Sequence, residues 1–317
     1  MMKRKIIKTN VILIFLISFL ILISCNNNNK EQNKDIKQTE SIDEGKLIVY
    51  IDSSIKKVIE PTLELYRNSY PKIEIIPNYV NARRAVALMF AGEAEVIILA
   101  RNYLKDEDSL NKEFNLNRPE MIAAKDGIVF FTNPDFPLDT LNDIQIKEVL
   151  GEGKNLTDYF KNLKTEPTFV TTYRNSSINS NIELIVLNGK QIKKNLKIFG
   201  STEEVLNYVK TNKNSIGIDY LSNLVNNIDF KLLRISFVNK NGERIPPQIV
   251  HQGFIVQDKY PYVNDIRLIL REDRRNKPFW FASFLAKEAR VQKYFLDAGI
   301  VPGYAKIVLK PQESEIK

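Results

Sequence analysis

Three short segments of the 317-residue chain carry side chains suited to holding an anion. The densest is Thr171-Thr-Tyr-Arg-Asn-Ser-Ser-Ile-Asn-Ser180. In it Arg174 supplies charge, Ser176, Ser177 and Ser180 supply hydroxyls, Asn179 supplies an amide, and no acid intervenes. Such groups can replace the hydration shell of an oxyanion with fixed donors. A polar surface loop capped by Ser177 is the plainer reading of the same residues. Arg101 follows the apolar run Glu95-Val-Ile-Ile-Leu-Ala100, which puts a guanidinium fork at the carboxyl edge of a strand. A structural salt bridge to a nearby acid is the alternative there. Asp52-Ser53-Ser54 lies where a strand turns into a helix, so Ser53 and Ser54 either offer hydroxyls and amides to an anion or take part in ordinary capping.

Other chemistry is excluded by composition. One Cys and one His leave no disulfide framework, no Cys/His zinc cluster and no site built on two imidazoles, so neither metal nor cofactor is expected. His251, in Ile249-Val-His-Gln-Gly-Phe254, reads as a satisfied imidazole with no serine elbow or carboxylate pair beside it. Glu95 reads as a solvated strand-end acid, with acceptance of a ligand proton as the other role open to it. No residue is assigned as catalytic, and no enzyme is expected. The net charge of +8 is not a nucleic-acid signal, because Lys3, Arg4, Lys5 and Lys8 supply half of it before residue 25. The rest is a mild excess among interspersed acids, which suits anion attraction rather than a basic groove.

The elements that must position these groups alternate. Lys46–Ile51 is a β-branched run, and the segment after it spaces Ile55, Val58, Ile59, Leu63 and Tyr66 as a helix does, with Pro61 expected to open a second helical piece. Strands at 73–76 and 95–100 flank a helix at 82–90, which predicts a parallel sheet covered by helices. A second series runs through a strand at 128–131 and a helix at 143–150 with Asn142 and Gln145 at capping spacing. It continues through a strand at 168–172, a helix from about Ser177, and a capping box, Ser201-Thr-Glu-Glu204, opening a helix to Lys210. Strands are expected at 216–218 and 231–237, extended chain at 248–256, and one long amphipathic helix at 278–297. Two such series joined by extended segments suggest two lobes with a cleft between them, where ligands sit by default.

The N-terminus has the layout of an export signal: basic residues 1–10, then Val11–Ile23, apolar apart from Ser18. As a helix this apolar stretch rises about 20 Å, short of a hydrocarbon core of about 30 Å. Leu22-Ile23-Ser24-Cys25 resembles the lipobox of bacterial lipoproteins, which implies residues 1–24 as a cleaved signal peptide and lipid on Cys25. Residues 25–45 are almost free of apolar side chains and read as a flexible tether with a reach of roughly 25 Å.

The mature chain, from about Lys46 to Tyr304, resembles the substrate-binding lipoproteins of bacterial phosphate ABC transporters, in their divergent Bacteroidetes-type branch. The resemblance is carried by Met121-Ile-Ala-Ala-Lys-Asp-Gly-Ile-Val-Phe-Phe-Thr-Asn-Pro134, by Asp139–Gly151, by Asn214-Ser-Ile-Gly-Ile218, and by Phe281-Ala-Ser-Phe-Leu285 continuing to Gly299-Ile-Val-Pro302. It implies an α/β, two-lobed periplasmic-binding-protein-like (type 2) fold with a hinge and an interlobe cleft. Residues 46–121 and 252–317 would form one discontinuous lobe and 122–251 the other. It implies ligand contacts at Ser53, Ser54, Arg101 and Arg174, and at a Gly-Ser-Gly-Thr turn whose positions are here Ser177, Ile178, Asn179 and Ser180. It further implies a lipid-anchored, monomeric protein of the bacterial cell envelope. Facing the periplasm, this protein would capture phosphate or a similar oxyanion for an ABC permease, with no nucleic-acid partner. An envelope sensor or interaction module that keeps the fold without binding an anion is the alternative.

Overall fold

A computed structural model describes residues 42–304 except 117 and 226. Cys25, the expected signal peptide at 1–24 and most of the expected tether at 25–45 lie outside the described residues, as do residues 305–317. Strand β1 (Gly45–Asp52) passes through a 3-10 turn, Ser53–Ile55, into α1 (Lys56–Ser69). Then follow β2 (Ile73–Val80), α2 (Ala82–Phe90), β3 (Val96–Leu99), α3 (Lys105–Glu113) and the long β4 (Glu120–Thr132). The middle of the chain adds β5 (Thr140–Asn142), α4 (Asp143–Glu152), β6 (Thr168–Thr172), α5 (Ser177–Asn181) and β7 (Lys197–Phe199). It continues through α6 (Thr202–Thr211), β8 (Ser215–Tyr220), α7 (Leu221–Leu224), β9 (Lys231–Leu232), β10 (Arg234–Val238) and β11 (Arg244–Gln248). The chain closes with α8 (Gln252–Val256), β12 (Val263–Leu270), α9 (Lys277–Lys287), α10 (Ala289–Asp297) and β13 (Val301–Pro302).

The main sheet has the order β2-β1-β3-β12-β4-β8-β6-β7, and β4 belongs to both of its halves. The first part of β4 pairs with β12 through Gly127, and from Ile128 onward it pairs with β8. β1 is parallel to β2 and β3, and β6 is parallel to β7 and β8. In each half, therefore, strands deliver their carboxyl ends to a common edge, where loops and helix starts gather. Central strands of each half are covered on both faces, as a sheet packed between helices requires: β3 is buried throughout, and so is β8. A smaller sheet has the order β11-β10-β5.

Several elements depart from the sequence expectation. Pro61 lies inside one continuous helix, α1, where it costs a single backbone bond while Val58, Ile59, Leu63 and Tyr66 bury one face. Residues 248–256 are not extended, because β11 ends at Gln248 and α8 starts at Gln252 with His251 as its cap. The expected long helix is two, α9 and α10, divided by Glu288 in an extended conformation. The run 231–237 is interrupted at Leu233, whose amide bonds the Phe130 carbonyl, so it becomes β9 and β10.

Candidate anion site between the lobes

The carboxyl ends of β1 and β3 meet the turn between β6 and α5, and a buried carboxylate lies at the meeting point. Asp52, fully buried, accepts hydrogen bonds from the Ser54 amide at 3.1 Å, the Ser54 hydroxyl at 2.8 Å and the Ala100 amide at 3.3 Å. A fourth comes from the Ser177 hydroxyl across the gap. Burial pushes the Asp52 carboxyl above its ordinary value, against the opposing effect of these bonds. Around it the two halves are laced together. The hydroxyls of Ser53 and Tyr173 share a hydrogen bond of 2.5 Å, and the Asn181 amide donates to the Ala100 carbonyl at 2.7 Å. The Tyr220 hydroxyl donates to that same carbonyl at 3.2 Å, and the Lys57 ammonium reaches the Asn223 carbonyl at 2.8 Å.

Two cavities open beside this contact. One, of about 440 Å³, is lined by Arg101, Arg174, Asn179 and Ser180, together with Arg83, Asn175, Glu183 and Lys194. The other, of about 560 Å³, is lined by Ser53, Ser54, Thr172, Tyr173 and the start of α6. The structure thus brings together four of the eight residues singled out by sequence, in the first cavity. It places Ser53 and Ser54 on the second. Ser176 and Ser177 line neither: both are buried, Ser176 as the cap that accepts the Asn179 amide at 3.2 Å and Ser177 on Asp52. Ser176, not Ser177, therefore caps α5.

The two arginines of the first cavity differ in electrostatic state. Arg101 is 2% exposed and forks onto Glu107, itself 3% exposed, at 2.7 and 2.8 Å. Glu107 also accepts the Leu104 amide at 2.8 Å and pairs with Arg83 at 3.3 Å, so the Arg101 charge is already compensated. The Nε of Arg101 has no partner among the described residues. Arg174 is exposed and makes no ion pair among the described residues, so it brings uncompensated charge to the cavity. Lys194 is held by Glu166 at 2.7 Å.

Glu95 lies at the opposite end of β3, paired with Arg271 at 3.3 Å and six residues before Arg101. It has no place at this edge. His251 accepts the Gly253 amide on Nδ1 at 3.1 Å, as a capping residue. Asp52 takes the capping role that is the plainer reading of its segment, and Arg101 the structural salt bridge that is its alternative. Sequence reasoning missed the bond of Asp52 to Ser177, the identity of Glu107 as the partner acid, and the parts of Asn181 and Tyr220. The signal for Glu107 was present as an acid six residues beyond Arg101. Nothing local to Asn181 or Tyr220 announces that they meet Ala100. Among the described residues, no His, Cys, Asp or Glu cluster is placed to hold a metal ion, and no helix is long and apolar enough to cross a membrane.

No curated protein matches the sequence. Solved structures do match in fold. A protein assigned as a phosphate ABC transporter substrate-binding protein from Clostridium perfringens, with bound phosphate, has a TM-score of 0.68 at 16% identity, covering 81% of this chain and 99% of its own. An ABC-type phosphate transport receptor from Vibrio cholerae has 0.62 at 14% identity, covering 80% and 99%. The CcmR regulatory domain of Synechocystis PCC6803, in complex with 2-PG, has 0.52 at 14% identity, covering 76% and 96%. At these identities the likeness is one of fold, and transport and regulatory proteins share it. The PBP superfamily domain matches residues 39–289, and the chain belongs to that superfamily, with its two-lobed type 2 fold.

Proposed function

We propose that this protein is a non-catalytic solute-binding protein that captures a solute bearing phosphate or a similar oxyanion group and presents it to an ABC permease. The observation that carries this reading is the cavity of about 440 Å³ in which Arg174, without an ion pair among the described residues, lines the same space as Asn179, Ser180 and the buried Arg101. Charge-assisted hydrogen bonds are the strong ones, and the guanidinium fork of Arg174, unlike that of Arg101 held by Glu107, is open to a tetrahedral anion. The fold supports the reading, since two of its solved relatives are phosphate transport proteins by description. We place one lobe at residues 46–121 and 252–317 and the other at 122–251, in keeping with a sheet whose halves meet on β4. Lipid on Cys25 and a 25–45 tether would hold a monomer at the envelope, facing the permease.

Isothermal titration with inorganic phosphate, sulfate, molybdate and phosphoglycolate tests the reading. Heat is expected with at least one of the four, and its absence with all of them overturns it. A second reading, a sensor or interaction module without an anion, is favoured by one observation: Asp52 and Ser177 touch directly across the lobes, so the chain's own groups fill part of the gap between them.

A further inference from the structure

A carboxylate removed from water needs its lone pairs met by other donors or by a cation. Among the described residues Asp52 has four donors and no ion pair. Two come from its own turn, the amide and hydroxyl of Ser54; one is the amide of Ala100 at the end of the neighbouring strand; one is the hydroxyl of Ser177 on the other lobe. Three segments far apart in the chain thus converge on one small oxyanion with neutral donors. Ser54 and Ser177 are among the groups whose chemistry suits an external anion, yet the anion they hold is part of the chain.

We propose that Asp52 is a specificity-determining residue: its carboxylate fills the oxyanion cradle made by Ser54, Ala100 and Ser177 and refuses that cradle to free inorganic phosphate. Recognition of the solute's anionic group then falls to Arg174 in the adjoining cavity, a step that rests on the reading given under Proposed function. Two physical effects produce the refusal. A second anion brought against a buried carboxylate meets like charge where water screens it poorly. A tetrahedral anion is also bulkier than a carboxylate, so admitting it means parting the lobes at the Ser53–Tyr173 and Asn181–Ala100 contacts, which measure 2.5 and 2.7 Å. The solute is therefore an organic anion rather than free phosphate: its charged group meets Arg174, and its remainder occupies a cavity of about 440 Å³, within the range that accommodates small organic ligands.

The test compares titrations of inorganic phosphate into the full protein and into Asp52→Ala at one ionic strength, with thermal unfolding to confirm that each variant is folded. The variant is expected to bind inorganic phosphate at least tenfold more tightly than the parent, and Asp52→Ala combined with Ser177→Ala is expected to lose that gain. Asp52→Asn, which keeps the shape and removes the charge, should show a gain in the same direction and serves if the alanine variant does not fold. Equal affinities, or tight binding by the parent that Asp52→Ala abolishes, overturn the proposal. The outcome is separable from that of the functional reading. A parent that gives no heat with any anion, beside an Asp52→Ala that binds phosphate, removes the solute and keeps Asp52 as the occupant.

Discussion

Arg101 and Arg174 look equivalent in sequence, each at the end of a strand, and burial is what separates them. Arg101 is enclosed with Glu107 in a bidentate pair, and breaking such a pair leaves a charge in the interior without compensation. Glu107→Gln is expected to lower the unfolding free energy by about 3–5 kcal/mol, the usual result of removing one partner of a buried pair. Arg174→Ala removes an exposed side chain with no ion pair among the described residues, so its effect on stability should stay within about 0.5 kcal/mol. Its effect on solute affinity should be roughly tenfold or more, as for a lost charge-assisted hydrogen bond. Urea unfolding and titration calorimetry on both variants check the contrast. Equal stability losses would place Arg174 in the structural network, and unchanged affinity would remove it from the site.

Among the elements, those whose signal is local were legible and those whose signal is tertiary were not. The caps at Asn142 and Ser201 show in sequence because donor and acceptor lie within one turn: Ser201 accepts the Glu204 amide at 3.2 Å, and Asn142 accepts that of Ile144 at 2.9 Å. Only Asn142 completes the reciprocal box, its amide donating to Gln145 at 3.0 Å; the Glu204 carboxylate accepts the Gly200 amide instead. The β-α-β-α-β opening was legible for the same reason, as β-branched runs alternate with helical spacing. The split of 277–297 at Glu288 was not, because periodicity persists on both sides. The break exists so that α9 can pack on β4 and β12 while α10 packs on α1 and β13. Strand β12, central in the sheet and antiparallel to both neighbours, carries charges at Asp265 and Arg267 that hide its buried alternate positions. The candidate site divides likewise. Its Arg and Ser content was plain in the sequence, whereas its partition around Asp52 depends on which loops meet. Register makes one element-level prediction. Gly217 on β8 stands where an added Cβ would come within 2.2 Å of the buried Phe131 ring on β4, the strand common to both halves of the sheet. Gly217→Ala should destabilise by about 1–3 kcal/mol or more through overpacking. A melting temperature equal to that of the parent would show that the ring moves aside freely.

At the scale of the whole molecule, the junction of the lobes concentrates acids that would rather be neutral. Asp126 on β4 accepts the amides of Gly127 at 2.7 Å and Ser222 at 3.3 Å, and Asp219 on β8 accepts the Tyr220 amide at 2.7 Å and the Asn223 side chain at 2.9 Å. Each has a second oxygen without a partner among the described residues. Burial pushes Asp126 up to about 7 and Asp219 up to about 6, and raises Asp52 in the same direction. In the unfolded chain such groups titrate near about 4. Between those values the folded state holds protons that the unfolded state has released, so stability falls as pH rises from about 4 to about 7, by at most about 1.4 kcal/mol per pH unit for each group. Surface acids act oppositely: Asp106 beside Arg83, and Asp135 beside Lys213, are held below the usual range, and their contribution is lost as pH falls through it. The two trends place maximum stability on the acid side of neutrality. Urea unfolding should therefore give a larger free energy at about pH 5 than at about pH 7.5. Asp126→Asn, neutral at every pH, should flatten the decline and match or exceed the parent at the higher pH. A parent whose stability is level across that interval, or a variant with the same slope, would mean that water reaches Asp126 and that the lobes part at their junction far more readily than its burial implies.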